Sequence, residues 1–274
     1  MATKLLLGLL IFYVALCGLA FLFQGRLLFA VDAARRAGPP PPGAERLELA
    51  AADGTRLVGL RLAPVHPGPA LPVVLGFGGN AWNADSAAEY LSDLYPEADI
   101  VTFHYRGYAP SGGRPGAEAL LADALLVHDS VARLYPGRPV VAVGFSIGSG
   151  LAAHLAARRP LAGAILVTPF DSLAGVAAAQ APWLPVRLLW RNRIEPAADL
   201  RGANVPVAIL AGGRDRLVPA ARTDALRRAV PRLVYDRTLA GLGHNDIYRA
   251  SAFQQAMREA LRAIIRVPSR PKQG

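Results

Sequence analysis

Cysteine is almost absent from this chain of 274 residues, with Cys17 standing alone. A single thiol forms no intramolecular disulfide and no thiolate metal cluster, so neither a disulfide-stapled fold nor a cysteine metal site is open to it. Lysine is nearly as scarce: Lys4 and Lys272 are the only two, and the net charge of +10 is carried almost wholly by arginine. Those arginines are scattered among Ala, Pro and Gly, without the basic, aromatic-interleaved stripe that a nucleic-acid groove needs, and nucleic acid is not expected as a partner. Charge is missing altogether from Leu5 to Phe23, where every residue is apolar, aromatic or small.

That uncharged run measures roughly 28 Å as a helix, about one hydrocarbon core, and reads as an uncleaved membrane anchor over residues 1–25. The competing reading is a cleaved signal peptide. Its apolar region would be only about 7–15 residues long and end at a small-residue site, whereas Gln24-Gly25-Arg26 follows the run directly. Lys4 precedes the run and Arg26, Arg35, Arg36 and Arg46 follow it. Counted by the positive-inside rule, they favour a cytoplasmic location for the part of the chain that follows the anchor. Arg26, Arg35 and Arg36 are also placed to meet lipid headgroups.

Residues 26–44 read as a basic, proline-rich linker, with 37–43 stiff and extended. From residue 45 to 267 the pattern is that of one large domain, followed by a polar tail over 268–274. Arg46–Ala50 and Arg56–Ala63 form strand-like stretches joined at Asp53-Gly54, a hairpin-turn dipeptide. Short apolar runs then alternate with helical segments: Pro72–Phe77, Ile100–His104, Val140–Val143, Ala162–Val167, Val205–Ala211 and Leu233–Asp236 are strand-like. Between and after them, Asp85–Tyr95, Ala117–Leu134, Gly148–Ala157, Ala220–Ala229 and Ile247–Ile265 are helix-like. Continuous apolar runs suit strands buried on both faces, and the alternation implies right-handed β/α crossovers and a mostly parallel sheet. The fold expected is α/β, a mostly parallel sheet with an antiparallel N-terminal hairpin and helices on both faces. Residues 172–200 carry Trp183, Trp190 and three prolines without periodicity, a candidate lid or binding loop.

The sharpest local feature is Val140-Val141-Ala142-Val143-Gly144-Phe145-Ser146-Ile147-Gly148-Ser149-Gly150. It holds Gly-x-Ser-x-Gly after a strand and before a helix, the context of a nucleophile elbow. The turn is so tight that backbone closes on both sides of the serine, and Gly144 and Gly148 keep those approaches free of side chains. A serine hydroxyl becomes a nucleophile only when a base takes its proton. Among five histidines, His66 and His104 precede the elbow, and His128 and His154 sit inside helical patterns. His244 alone follows the last strand, in the glycine-flanked loop Gly241-Leu242-Gly243-His244-Asn245-Asp246, and is the expected base. Asp215, in the turn after Val205–Ala211, is the expected acid that fixes the histidine tautomer. Asp171 and Asp246 remain alternatives.

An oxyanion needs fixed donors. The Ile147 amide is one candidate; the other is the Asn80 amide in Gly76-Phe77-Gly78-Gly79-Asn80-Ala81. That loop lacks both the P-loop and the dinucleotide glycine spacings, which argues against a nucleotide cradle.

With these residues in hand, the chain resembles the α/β-hydrolase superfamily, and within it the small N-terminally anchored serine hydrolases labelled serine-aminopeptidase-like. Phe77-Gly78-Gly79-Asn80-Ala81 is similar to that group's Phe-His-Gly-Asn-Ala oxyanion loop. His104-Tyr105-Arg106-Gly107-Tyr108 with Ser111-Gly112-Gly113 resembles its Asp-Tyr-Arg-Gly-Tyr-Gly-x-Ser segment. Gly144–Gly148, Thr168-Pro169-Phe170, Asp215–Pro219 and Gly243–Asp246 resemble its elbow, strand end, acid turn and base loop. Gly78 and His104 depart from the pattern, which bears on loop rigidity and on the second oxyanion donor. The resemblance implies hydrolysis of an ester, thioester or amide through an acyl-enzyme, with no metal or organic cofactor. The substrate expected is an acyl-containing small molecule, lipid or acyl-protein, and the bilayer is met through Leu5–Phe23. A serine peptidase of the same fold and a non-catalytic membrane scaffold are the alternatives.

Overall fold

A computed structural model describes residues 1–34, 40–66 and 71–267. The hairpin expected at the start of the domain is present: β1 (Glu45–Ala50) pairs antiparallel with β2 (Arg56–Leu62) around Gly54, whose φ of 78° lies in the left-handed region glycine tolerates. The apolar runs that follow become β3 (Val73–Phe77), β4 (Ile100–Phe103), β5 (Val140–Phe145), β6 (Gly163–Val167), β7 (Val207–Gly212) and β8 (Leu233–Leu239). Every residue of β3, β5, β6 and β7 is buried, which explains why those strands read as unbroken hydrophobic stretches without alternation. The eight strands run in the order β1-β2-β4-β3-β5-β6-β7-β8. Only the β1–β2 and β2–β4 pairs are antiparallel.

Helices cover both faces. On one lie α4 (Ala117–Leu134) and α5 (Ile147–Ala156); on the other lie α3 (Ala84–Leu94) and α10 (Ser251–Arg266). Leu151 and Leu155 of α5 are fully enclosed, and burying each side chain stabilises the fold by about 1.5–3 kcal/mol. α9 (Ala220–Ala229) follows β7. The chain leaves β3 to one side to build β4 and returns to the other side to build β5, so the sheet's switch point lies between β3 and β5. Ligand crevices form at such a point, beyond the carboxyl ends of the strands.

Three expectations need correction. The helix expected over Ile247–Ile265 is a 3-10 turn, Ile247–Arg249, and then α10, because Ala250 takes an extended conformation between them. The strand expected to stop at Asp236 runs on to Leu239 as it pairs with β7. Residues 26–34, read as linker, are folded: α1 (Ala2–Leu28) and α2 (Val31–Ala34) carry them, and Phe29 and Ala34 are buried in the core. Phe29 is an apolar side chain that finds core surface within reach, so this stretch packs rather than spans. Of the remaining linker, Arg35 to Pro39 lie outside the described residues, as does the tail over 268–274.

Residues 172–200 fold into three short helices, α6 (Leu173–Gln180), α7 (Val186–Leu189) and α8 (Pro196–Leu200). Ser172 caps the first, its hydroxyl accepting from the Gly175 amide at 3.2 Å.

Candidate active site

β5 delivers Ser146 to the switch point with φ 51° and ψ −118°, a conformation that costs a non-glycine residue on the order of 1–3 kcal/mol. The surroundings hold it there. The Ser146 amide donates to the Val167 carbonyl of β6 at 2.9 Å, and the Ser149 hydroxyl donates to the Ser146 carbonyl at 2.6 Å. A side chain on Gly144 would strike the main chain of Gly148, and one on Gly148 would strike the carbonyls of Phe77 and Gly78. Both glycines are therefore required sterically by the contact of α5 with the elbow and with the end of β3.

His244 comes from the loop after β8 and Asp215 from the turn after β7. The His244 Nε2 stands 2.9 Å from the Ser146 hydroxyl, and its Nδ1 stands 2.7 Å from an Asp215 carboxylate oxygen. A carboxylate only accepts, so Nδ1 carries the proton and Nε2 is left to accept from the serine. The other Asp215 oxygen accepts from the amides of Leu217 and Val218, at 2.9 and 2.8 Å. Three hydrogen bonds thus fix the carboxylate, and His244 is only 9% exposed.

Five other titratable residues weighed from the sequence have other partners. Asp171 faces the Arg222 guanidinium at 3.2 Å, and Asp246 closes its own turn by accepting from the Gly243 amide at 2.7 Å. His104 is buried with its Nε2 3.4 Å from Asp85, His128 contacts Asp129, and His154 contacts Asp199.

Ile147 opens α5, so its amide has no acceptor within the helix and sits at the positive end of the helix dipole, beside Ser146. Asn80 lines the same cavity as Ser146. Its side chain is committed elsewhere: the amide nitrogen donates to the Leu28 carbonyl at 2.5 Å, and the amide oxygen accepts from the Ala30 amide and from the Tyr108 hydroxyl, at 3.2 and 2.8 Å. The loop is braced again where the Tyr105 hydroxyl donates to the Gly78 carbonyl at 2.6 Å. Arg106, between those tyrosines, binds Asp123 through two nitrogens and Asp53 through a third. The segment His104–Tyr108 is therefore a buttress behind the glycine-rich loop. Reasoning from residue chemistry alone assigned it no job, and its likeness to a family motif was the one signal available.

Tyr248 packs edge-on against Phe145 and Phe253, and its hydroxyl lies 3.2 Å from that of Thr168. Burial pushes the Tyr248 phenol up to about 12, so it stays protonated at neutral pH.

A cavity of about 410 Å³ opens over Ser146. The insert supplies one side through Leu173, Val176 and Leu184. α1 supplies another through Ala20, Gln24, Leu27 and Leu28. Sequence reasoning did not find that contribution from α1, because a run of apolar residues does not announce which face meets a cavity.

A family model for the alpha/beta hydrolase fold matches residues 69–195. An uncharacterized protein of Mycobacterium tuberculosis is 32% identical over 243 residues, covering 83% of this chain and 86% of its own. The lysophosphatidylserine lipase ABHD12 of Danio rerio is 25% identical over 225 residues, covering 70% of this chain and 58% of its own. Among solved structures, a Pyrococcus furiosus esterase superposes with a TM-score of 0.69 at 15% identity, covering 84% of this chain and 96% of the esterase. Fold, sheet order and these likenesses define the class: the chain belongs to the α/β-hydrolase superfamily. Within that superfamily, relatives named as a lipase and an esterase support a hydrolase.

Proposed function

We propose that this protein is a membrane-anchored serine hydrolase that cleaves a carboxylic ester or thioester through an acyl-enzyme on Ser146. The observation that carries the reading is the unbroken relay from Asp215 through His244 to the Ser146 hydroxyl, at 2.7 and 2.9 Å. The Ser146 oxygen attacks the acyl carbon as His244 Nε2 takes its proton, and Asp215 stabilises the imidazolium so formed. The carbonyl electrons move onto oxygen, where the main-chain amides of Ile147 and Asn80 are the donors, each worth about 2.7–4 kcal/mol to the transition state. As the tetrahedral adduct collapses, the bond to the leaving group breaks and His244 returns the proton to it. Water then repeats the sequence, splitting the acyl-enzyme into free acid and regenerated serine. No step calls for a cofactor.

The cavity is lined mainly by aliphatic side chains, which favours an acyl chain over a peptide backbone that would leave polar groups unpaired. The lipase named among the relatives points the same way, to an acyl lipid as substrate class. α1 is long and apolar enough to cross a bilayer, and Leu5, Phe12 and Leu22 stand exposed on it, which supports anchoring.

The test is a fluorophosphonate probe applied to the full chain in detergent micelles. Labelling of the wild type and not of Ser146→Ala is expected. A folded wild type that neither labels nor turns over acyl esters would replace the enzyme with a non-catalytic scaffold.

A further inference from the structure

Gln24 is the one strongly polar side chain of α1 between Leu5 and Gly25, and it is nine-tenths buried. All its hydrogen-bonding capacity toward the rest of the fold goes to the insert. Its amide nitrogen donates to the Leu189 carbonyl at 3.1 Å, and its oxygen accepts from the Arg191 amide at 2.8 Å and from the Asn192 side chain at 3.2 Å. Arg191 also lies over the Phe21 ring, 5.2 Å from its centre. Higher on the same helix the Tyr13 hydroxyl donates to the Trp183 carbonyl at 2.9 Å. The helix and the insert are thus joined along a seam, and the cavity over Ser146 runs between them.

The depth of that seam is informative. Tyr13 lies ten residues before Phe23, about 15 Å along the helix and near the middle of a hydrocarbon core about 30 Å thick. The insert keeps company with it at that depth: from Leu173 to Val186 it has no charged residue. Its Trp183 and Leu188 are 55% and 84% exposed, and Leu27 of α1 is 76% exposed. Exposed apolar side chains continuous with an apolar helix fit lipid, and no aqueous surface gains from them.

We propose that the second half of α1 is part of the substrate site: Ala20, Leu27 and Leu28 form a wall of the acyl pocket, Gln24 is the positioning residue that latches the insert to that wall, and the seam between them admits the acyl chain of a bilayer-resident ester sideways from the hydrocarbon. This rests on the hydrolase reading and deepens it, by making the anchor a determinant of acyl selectivity as well as a tether. Ala20 is the sensitive position. It is the smallest group on the wall, so bulk added there shortens the pocket without touching the relay.

The experiment compares the full-length wild type with Ala20→Phe, Ala20→Leu, Gln24→Leu and Leu19→Phe in phosphatidylcholine vesicles. It measures kcat/KM on butyryl, octanoyl and palmitoyl esters, with fluorophosphonate labelling as the check on folded sites. Ala20→Phe is expected to lower the palmitoyl-to-butyryl ratio by about ten-fold or more, as a misfit of one or more methylenes does in a hydrophobic pocket, with Ala20→Leu intermediate. Leu19, one position along and 53% exposed outside the cavity, is the control whose substitution leaves the ratio alone. Gln24→Leu is expected to raise KM for the palmitoyl ester with a smaller change in kcat, a split that general destabilisation would not produce. Labelled protein whose ratio is the same in all five chains overturns the wall and leaves the hydrolase standing. A wild type that neither labels nor hydrolyses any ester overturns both.

Discussion

The side-chain amide of Asn80 donates to the main-chain carbonyl of Leu28, 2.5 Å away, and so ties the glycine-rich loop after β3 to the last turn of the apolar N-terminal helix. Asn80 is engaged on its other side by Ala30 and Tyr108, so both ends of the amide are spent on holding the loop. Its main-chain N–H takes no part in those contacts, and Asn80 lines the same cavity as Ser146.

Asn80→Ala keeps that N–H and removes the tie. The expected result is a kcat reduced by about 10- to 100-fold with KM little changed, below the full loss of an oxyanion donor. Steady-state kinetics on a short acyl ester check it, with Tyr108→Phe predicted to fall in the same direction and less far. An unchanged kcat in Asn80→Ala would remove the loop from the reaction.

Ser146→Ala, His244→Ala and Asp215→Asn are each expected to lower kcat by about 10⁴- to 10⁶-fold, and the double and triple variants to fall little further, because the three groups act as a unit. Steady-state kcat values of the single, double and triple variants read this directly. Additive losses would mean that the relay is not the catalytic unit.

Ser146→Gly is expected to stabilise the fold by about 1 kcal/mol or more, since glycine takes the φ of 51° without the cost a side chain bears. Thermal unfolding of detergent-solubilised protein should show a higher Tm together with lost labelling. Gly148→Ala runs the other way. Its methyl meets the Phe77 and Gly78 carbonyls, and a loss of about 1–3 kcal/mol from overpacking is expected.

Acid should expose the Asp53–Arg106 contact. Hydrogen bonds from the Thr55 amide and then from Arg106 hold the Asp53 carboxyl down at about 2, against an ordinary 3.8. A depressed value in the folded state contributes stability that is complete above 3.8 and is lost as pH falls through about 2. Asp53→Asn lacks that component, so its stability should decline less steeply than that of wild type over the same window. Urea titrations at a series of acid pH values measure the two slopes; equal slopes would refute the assignment.

Local signals made much of the fold readable. Buried parallel strands are continuous apolar runs because water reaches neither face, so β3, β5, β6 and β7 announced themselves, and Asp53-Gly54 marked the hairpin. Gly144 and Gly148 were legible as a pair because a steric demand leaves a compositional trace. The break at Ala250 left a fainter trace, Ser251-Ala252-Phe253-Gln254 with the Ser-x-x-Gln spacing of a helix start, which is easily lost inside a longer helical pattern.

The order of side chains along the chain determined which groups had the chemistry to act on an acyl bond, because hydroxyl, imidazole and carboxylate are properties of single residues. Distance between them is a property of the fold alone. Only the tertiary structure gave Asp215 the contact with His244 while Asp171 went to Arg222 and Asp246 to its own turn. Only it turned part of an apolar helix, read as tether and linker, into one wall of the cavity. A side chain's composition says that it prefers to leave water; which surface receives it is settled when elements far apart in sequence meet.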